Sequence, residues 1–372
     1  MTPPPRSARS TPLQLDAVAL RATTDGTARY RARFDSVFQP DYFRESRGVY
    51  ASSIGIGTYL GDSTDDVDAA YRAAIRHAIE EGINVVDTSI NYRSQRAERV
   101  CGAAIQQAIA AGTIRRDELV VCTKGGYVPF DTTPPSSREE YQAYLKREFL
   151  DPQILHREEL VAGGHSLSPR FLRYCLAKSR QNLGLRTIDV YYLHNPEQQA
   201  GAVPHEDFLK RMRAAFTIME EAVARGEIGA YGCATWDGLR VPPGTKGHLP
   251  LAELVRAAKE AAGGTHHFGV IQLPLSLAMP EAIRNQTQVV EGTLMTPVEA
   301  AAALGLTVMT SATLMQSRLT SNLPPAIAET FPALTKDAQR AIAFVRALPG
   351  VTTALVGMKR AEHVDENLAA AR

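Results

Sequence analysis

Residues 53–88 read SIGIGTYLGDSTDDVDAAYRAAIRHAIEEGINVVDT. Two short apolar runs, Ser53–Tyr59 and Asn84–Thr88, enclose a segment whose apolar side chains fall at helical spacing. Val67, Ala70, Tyr71, Ala74, Ile75, Ala78 and Ile79 form one stripe. Ser63-x-x-Asp66 is a capping-box-like start, and Gly82 supplies a stop. The stretch therefore predicts a strand, a helix and a second strand.

The same alternation continues outward to the C-terminus. The second helix is expected over Arg96–Ala110, the third strand over Glu118–Lys124, and its helix only at Pro169–Leu183. Strand four is expected at Thr187–His194, followed by a helix that carries Phe208, Met212, Phe216, Met219 and Val223 and stops at Gly226. Ile228–Thr235, Phe268–Leu273, Leu306–Ser311 and Val351–Gly357 complete the strands. Their helices fall near Leu249–Ala262, Pro297–Leu304, Lys336–Leu348 and Ala361–Ala371. Eight strand–helix units in about 320 residues fit a (β/α)8 TIM barrel. A doubly wound sheet shares the alternation, but Gly55-x-Gly57 is not a dinucleotide fingerprint: Gly61 comes one residue late and no acidic residue closes a second strand about twenty residues on. The chain divides into an N-terminal extension, 1–45, partly flexible, and one barrel domain, 46–372, with an insertion at 125–168.

Composition narrows the function. With 44% hydrophobic and 22% charged residues the chain is globular, and a net charge of +1 argues against nucleic-acid binding. A run of about 18 apolar residues, as a membrane span needs, is missing. Met1–Pro12, rich in Pro, Ser and Arg, has no apolar signal core and reads as a flexible tail. Cys101, Cys122, Cys175 and Cys233 show no metal-ligand spacing and lie in expected helices and strands, so buried thiols in the cytoplasm are expected, with no metal site.

In a barrel the C-terminal strand ends carry the chemistry. Strand two ends in Val85-Val86-Asp87-Thr88, with Tyr92 four residues further; strand three ends in Lys124 and strand four in His194. One such Asp or His is ordinarily a helix cap or a satisfied core residue, but a lysine after a β-branched run needs a buried partner, and Asp87 on the next strand supplies it. A phenol titrates near 10. Lowering it by about two units takes about 2.7 kcal/mol, within reach of an ammonium at about 4 Å. Asp87 would keep Lys124 charged and His194 would orient a substrate oxygen. The set is a proton donor that lacks a hydride, which only a cofactor provides.

These residues resemble the aldo-keto reductase superfamily, from Gly55 to the C-terminus. The resemblance rests on Gly55-Ile-Gly-Thr-Tyr59, Asp87-Thr-Ser-Ile-Asn-Tyr92, Thr123-Lys124 and Tyr192-Leu-His-Asn-Pro196. It continues in Ile228-Gly-Ala-Tyr-Gly232, Ile271-Gln272 and Gly357-Met-Lys-Arg360 with Glu366-Asn367. It implies Tyr92 as proton donor, with Asp87, Lys124 and His194 completing a tetrad. The implied reaction is reduction of an aldehyde or ketone by NADPH, less so NADH, reversible toward alcohol oxidation.

The implied cofactor contacts are Gly57, Thr58, Asp87, Ala234, Thr235, Gln272, Ser311, Leu314, Gln316, Arg318, Gly357, Lys359, Arg360, Glu366 and Asn367. Gln272 stands where the family binds the carboxamide. The Ser-Asn pair that usually shares that task is replaced by Ala234-Thr235, and the stacking aromatic by Ser311. Lys359 and Arg360, at a helix start, are placed for a 2′-phosphate; His363 stands where several members have Arg.

The insertion holds Gly125-Gly126, Tyr127, Phe130 and Pro134-Pro135. Ser137-x-x-Glu140 precedes Tyr141, Tyr144, Leu145 and Phe149 on one helical face, so a structured segment is expected. Its place at the mouth favours a substrate lid, with a dimer contact or simple padding as the alternatives. A lid would allow Phe130–Ser166 to be exchanged for a short linker with the barrel still folded. A small-molecule carbonyl or alcohol is the expected partner. Competing functions are a redox-neutral isomerase or lyase with tightly held nicotinamide, and a non-catalytic nucleotide-sensing barrel.

Overall fold

The structure is a computed structural model that describes residues 20–131 and 133–372. The tail expected at Met1–Pro12, and with it residues 1–19 of the expected extension, lies outside the described residues.

The chain runs in order through α1 (Thr24–Ala32), β1 (Phe43–Ser46), β2 (Val49–Ser52), β3 (Ile54–Gly57), α2 (Asp65–Glu80), β4 (Val85–Asp87), α3 (Arg96–Ala110), β5 (Val120–Gly125) and α4 (Arg138–Leu145). It continues with α5 (Pro169–Leu183), β6 (Ile188–His194), α6 (Glu197–Ala200), α7 (His205–Ala224), β7 (Ile228–Ala234), α8 (Leu251–Ala262), β8 (Phe268–Pro274) and α9 (Glu281–Arg284). The last part comprises β9 (Gln288–Val290), β10 (Thr293–Met295), α10 (Pro297–Ala303), β11 (Thr307–Ser311), α11 (Pro325–Thr330), α12 (Asp337–Arg346), β12 (Val351–Gly357) and α13 (Ala361–Leu368).

Eight parallel strands close in the order β11-β12-β3-β4-β5-β6-β7-β8, the (β/α)8 barrel that the alternation predicted. Its interior is packed: Val85, Val120, Val190, Tyr192, Val270, Met309 and Leu355 belong to one buried cluster with Ala22 and Ala51. Helix α2 starts one residue later than expected. Thr64, not Ser63, is its cap: the Thr64 side chain accepts from Val67 N at 3.4 Å. Helices α3 and α5 occupy the expected ranges.

Residues 20–52 close the N-terminal end. Helix α1 is capped by Thr23 and packs so tightly that a Cβ on Gly26 would lie 2.2 Å from Asp117 O. Arg29 joins Asp117 and Glu118, each at 2.8 Å, and buried Tyr30 donates to Ile79 O at 2.6 Å. The antiparallel β1–β2 hairpin places Ala51 against the barrel interior. α1 and all of β1 but its last residue, Ser46, therefore lie within the stretch treated as an extension.

Candidate active site

Strands β4, β5 and β6 end side by side, with Asp87 opposite Cys122 and Lys124 opposite Tyr192. Their parallel register brings Asp87, Lys124 and His194 to one mouth. Lys124 is buried and donates to Asp87 Oδ1 at 2.5 Å and to Thr88 O at 2.8 Å. Gln272 Nε2 donates to the other oxygen, Asp87 Oδ2, at 2.8 Å. Burial works to lower the Lys124 ammonium, but Asp87 and Tyr92 outweigh it and hold it above its ordinary value. Lys124 is thus a fixed positive charge in a dry site.

Tyr92 lies on the loop between β4 and α3, half-buried. Lys124 Nζ sits 5.0 Å from its ring centroid, and the Tyr59 and His194 rings lie 5.0 and 6.0 Å away. The backbone after it is strained: Arg93, Ser94 and Gln95 have φ of 47°, 54° and 68° in sequence. Such left-handed residues cost about 1–3 kcal/mol each and persist only when neighbours fix them. Arg93 donates to Asp68 at 2.6 Å and lies 4.9 Å over the Tyr71 ring; Gln95 donates to Phe130 O at 3.0 Å and accepts from Asn182 at 3.1 Å.

The expected lowering of the Tyr92 phenol is corrected by this environment. Exclusion of water pushes it above its ordinary value; Lys124 pulls it down, and Asp87 pushes it up again. The phenol therefore keeps its proton. The Lys124 ammonium favours the phenolate form, but not enough to offset that burial.

His194 is held from behind. Its ring Nδ1 lies 3.3 Å from Ser89 Oγ, and its carbonyl accepts from His165 Nε2 at 2.7 Å. Gln199 Nε2 donates to His165 Nδ1 at 2.9 Å, and Arg211 donates to Gln199 Oε1 at 2.5 Å. Arginine can only donate, so it fixes the amide, and the amide fixes the imidazole tautomer with its proton toward His194 O. Burial, then Lys124, then His165 hold the His194 imidazole well below its usual range, so it is neutral. His165 belongs to the insertion, which starts at Gly125-Gly126. A Cβ on Gly126 (φ 150°) would lie 2.9 Å from His194 O. Two glycines let the insertion leave the barrel directly beneath His194 and return through His165.

A cavity of about 530 Å³ opens over these groups, between Tyr92, His194, Tyr127, Trp236, Gln272 and Ser311. A narrower cleft of about 120 Å³, lined by Gly57, Thr58, Asp87, Leu314, Gln316 and Gly357, runs toward β12. Ala234, Thr235 and Arg318 also face the larger cavity. Of the residues expected to hold a cofactor, Lys359, Arg360, Glu366 and Asn367 do not line either space. Lys359 and Arg360 are exposed at the start of α13, Arg360 lying 2.5 Å from His363 Nε2. Glu366 pairs with Lys336, and Asn367 is buried. The Gln272 amide nitrogen is committed to Asp87.

The sequence model of the Aldo/keto reductase family matches residues 53–241, just over half of the chain. The chain belongs to the aldo/keto reductase family. It is 30% identical over 160 residues to D-threo-aldose 1-dehydrogenase of a Pseudomonas species, which is 43% of this chain and 42% of that relative. It is 26% identical over 194 residues to the NADH-specific methylglyoxal reductase of Escherichia coli K12, 51% and 50% of the two chains. The matches span about half or less of these curated relatives. An aldo/keto reductase from Klebsiella pneumoniae, solved with NADP and acetate, superposes with a TM-score of 0.58 at 22% identity over 89% of each chain.

Several groups at the mouth of this aldo/keto reductase were not picked out as site residues from sequence. Asn195, beside His194, donates to Tyr127 OH at 3.0 Å, and the Tyr127 ring stands edge-on to both His194 and His165. Trp236 follows Ala234-Thr235 at the end of β7 and stands 46% exposed. Its adjacency to a strand end was the available signal. Among the described residues no cluster of three or more His, Cys, Asp or Glu could hold a metal, and all four cysteines are buried and unbridged. No described helix is long and apolar enough to cross a membrane.

Trp236 is anchored by Glu197, a buried carboxylate that accepts from Trp236 N at 2.5 Å and whose other oxygen has no protein partner. Burial pushes the Glu197 carboxyl up to about 7, against the pull of the backbone N–H groups of Trp236, Asp237 and Gly238. A carboxyl whose folded value exceeds its unfolded one favours folding at low pH. That contribution is lost as pH rises from the unfolded value, near 4.5, through about 7. The wild-type chain should lose up to about 3 kcal/mol between pH 5 and 8 from this group, and Glu197→Gln should remove that loss. Chemical denaturation of both chains at the two pH values checks it; parallel slopes would refute the assignment.

Proposed function

We propose that this chain is an NADPH-dependent reductase of small aldehydes or ketones, with Tyr92 as proton donor. One observation carries the reading: a buried Asp87–Lys124 pair lies against a phenol and a neutral imidazole in the cavity of a family barrel. The activities of the relatives, a dehydrogenase and a reductase, support it.

The residues present fit a nicotinamide dinucleotide. The cleft beside Asp87 begins at Gly57 and Gly357, paired in register between β3 and β12, where absent side chains leave backbone accessible. Arg318, Lys359 and Arg360 have no carboxylate partner among the described residues, and the last two precede α13, where phosphate is favoured. When bound, the nicotinamide supplies the hydride.

The chain's own residues do the rest. His194, held by Ser89 and His165, orients the carbonyl oxygen toward the phenol. Tyr92 gives its proton to that oxygen as charge develops there, and Lys124 stabilises the phenolate left behind. Asp87, saturated by Lys124 and Gln272, keeps the ammonium in place. Tyr127 and Trp236 wall the cavity and limit water.

The test is NADPH consumption with aromatic aldehydes, together with cofactor titration of Lys359→Ala/Arg360→Ala. The double variant should bind NADPH about tenfold or more weaker, with NADH binding little changed, because only the extra phosphate loses partners. Equal loss for both cofactors would remove the NADPH assignment. Substrate turnover without net NADPH consumption would indicate a redox-neutral enzyme instead.

A further inference from the structure

A space larger than the one at the mouth lies at the other end of the barrel. A cavity of about 640 Å³ opens there, walled by Val49, Ala51, Val190, Ile228, Val270 and Met309, with Arg21 and Arg47 at its rim. This volume falls within the range of small-molecule sites, about 300–1,000 Å³.

The two arginines are placed by the barrel itself. A Cβ on Gly229, near the start of β7, would lie 2.8 Å from Arg21 Nη1. A Cβ on Gly269, near the start of adjacent β8, would lie 2.1 Å from the Arg47 guanidinium. Any side chain at either position would evict its arginine. Arg47 sits at the hairpin tip with φ 51°, a conformation costly for a non-glycine residue, and Gly48 completes the turn.

Neither arginine has an ion-pair partner among the described residues; Arg21 reaches only Gly229 O, at 3.5 Å. Two acidic groups near this end, Asp189 and Glu220, are already engaged. Asp189 accepts from Ala22 N at 2.6 Å, Val121 N at 2.8 Å and Arg116 at 2.6 Å. Glu220 is held by Tyr231 OH at 2.8 Å and His267 Nδ1 at 2.7 Å. Desolvation against the cavity, then the charge of Arg21, hold the Arg47 guanidinium below its ordinary value, which marks two like charges brought together without compensation.

We propose that this floor cavity binds an amphipathic carboxylate of the fatty-acid class, its head shared by Arg21 and Arg47 and its chain lying along the apolar wall. Paired guanidiniums match a carboxylate in geometry as well as charge, and the anion relieves their repulsion. The apolar body gains the burial that an inorganic anion could not. Binding here leaves the mouth free, since Tyr92 and His194 stand at the opposite strand ends.

The probe is decanoate, with decanol as the uncharged control, titrated calorimetrically into the full-length chain in saturating NADPH. The expected result is one saturable site for decanoate, weakened at least tenfold by Arg21→Gln/Arg47→Gln, with decanol affinity unchanged by the same substitutions. Both arginines are exposed, so the variants should fold; Arg47→Gln alone should give an intermediate loss. No saturation by decanoate would overturn the proposal. Equal affinity in the double variant would overturn it too, as would displacement of decanoate by an aromatic aldehyde.

Discussion

Tyr92→Phe is expected to slow single-turnover carbonyl reduction by about 10²–10⁴-fold, with NADPH affinity within about twofold of wild type. The phenyl ring can keep its place beside Tyr59 and over Lys124, so the cavity's shape survives. What disappears is the phenol hydroxyl, whose ring stands beside the Lys124 charge and the His194 ring. The phenol's raised value sharpens the expectation. Because burial keeps it protonated, the wild-type rate should stay flat through neutrality and fall only in the alkaline range, as the donor is lost. A variant retaining more than about a tenth of the wild-type rate would show that water or His194 protonates the product oxygen.

Replacing residues 130–166 by a short linker should disable the whole domain, contrary to what a detachable lid would allow. Phe149, Leu145 and Leu155 are buried in one cluster with Val128, Ile90, Phe171 and Cys175, so the deletion strips the outer face of α5. Phe149→Ala alone should cost about 3–5 kcal/mol. The replacement also removes His165, and with it the donor to His194 O. Activity should therefore be lost toward a small aromatic aldehyde and a large substrate alike. His165→Ala separates the two effects: it should lower kcat on both substrates while the chain remains folded. A linker variant with an unchanged melting temperature and selective loss on the larger substrate would restore the lid.

The barrel was legible because each strand–helix unit carries its own periodicity; α3 and α5 are clean amphipathic segments with Gly or Pro at their ends. The elements that escaped are short or polar. β1 is four residues with one apolar side chain, FRES, and α1, TDGTARYRA, has no apolar stripe; both owe their form to packing on the barrel. The β9–β10 hairpin, three residues a strand, gave no period to read. At the site, Asp87, Lys124 and His194 stood out because strand ends converge by topology. Tyr127, His165 and Trp236 did not, because loops bring them there. The phenol's rise could not be foreseen, since burial around Tyr92 depends on that same closure.

The three successive left-handed residues after Tyr92 bear on how this protein tolerates change. A backbone held in a poor conformation by Asp68, Tyr71, Phe130 and Asn182 relaxes when any of those supports weakens. Relaxation swings the adjacent hydroxyl before anything melts. Random substitutions around α2 and α3 should therefore yield many chains that are soluble and cooperatively folded yet slow. Ser94→Gly, which makes the turn easy, should belong to that class: a chain at no structural disadvantage whose acid is aimed less well.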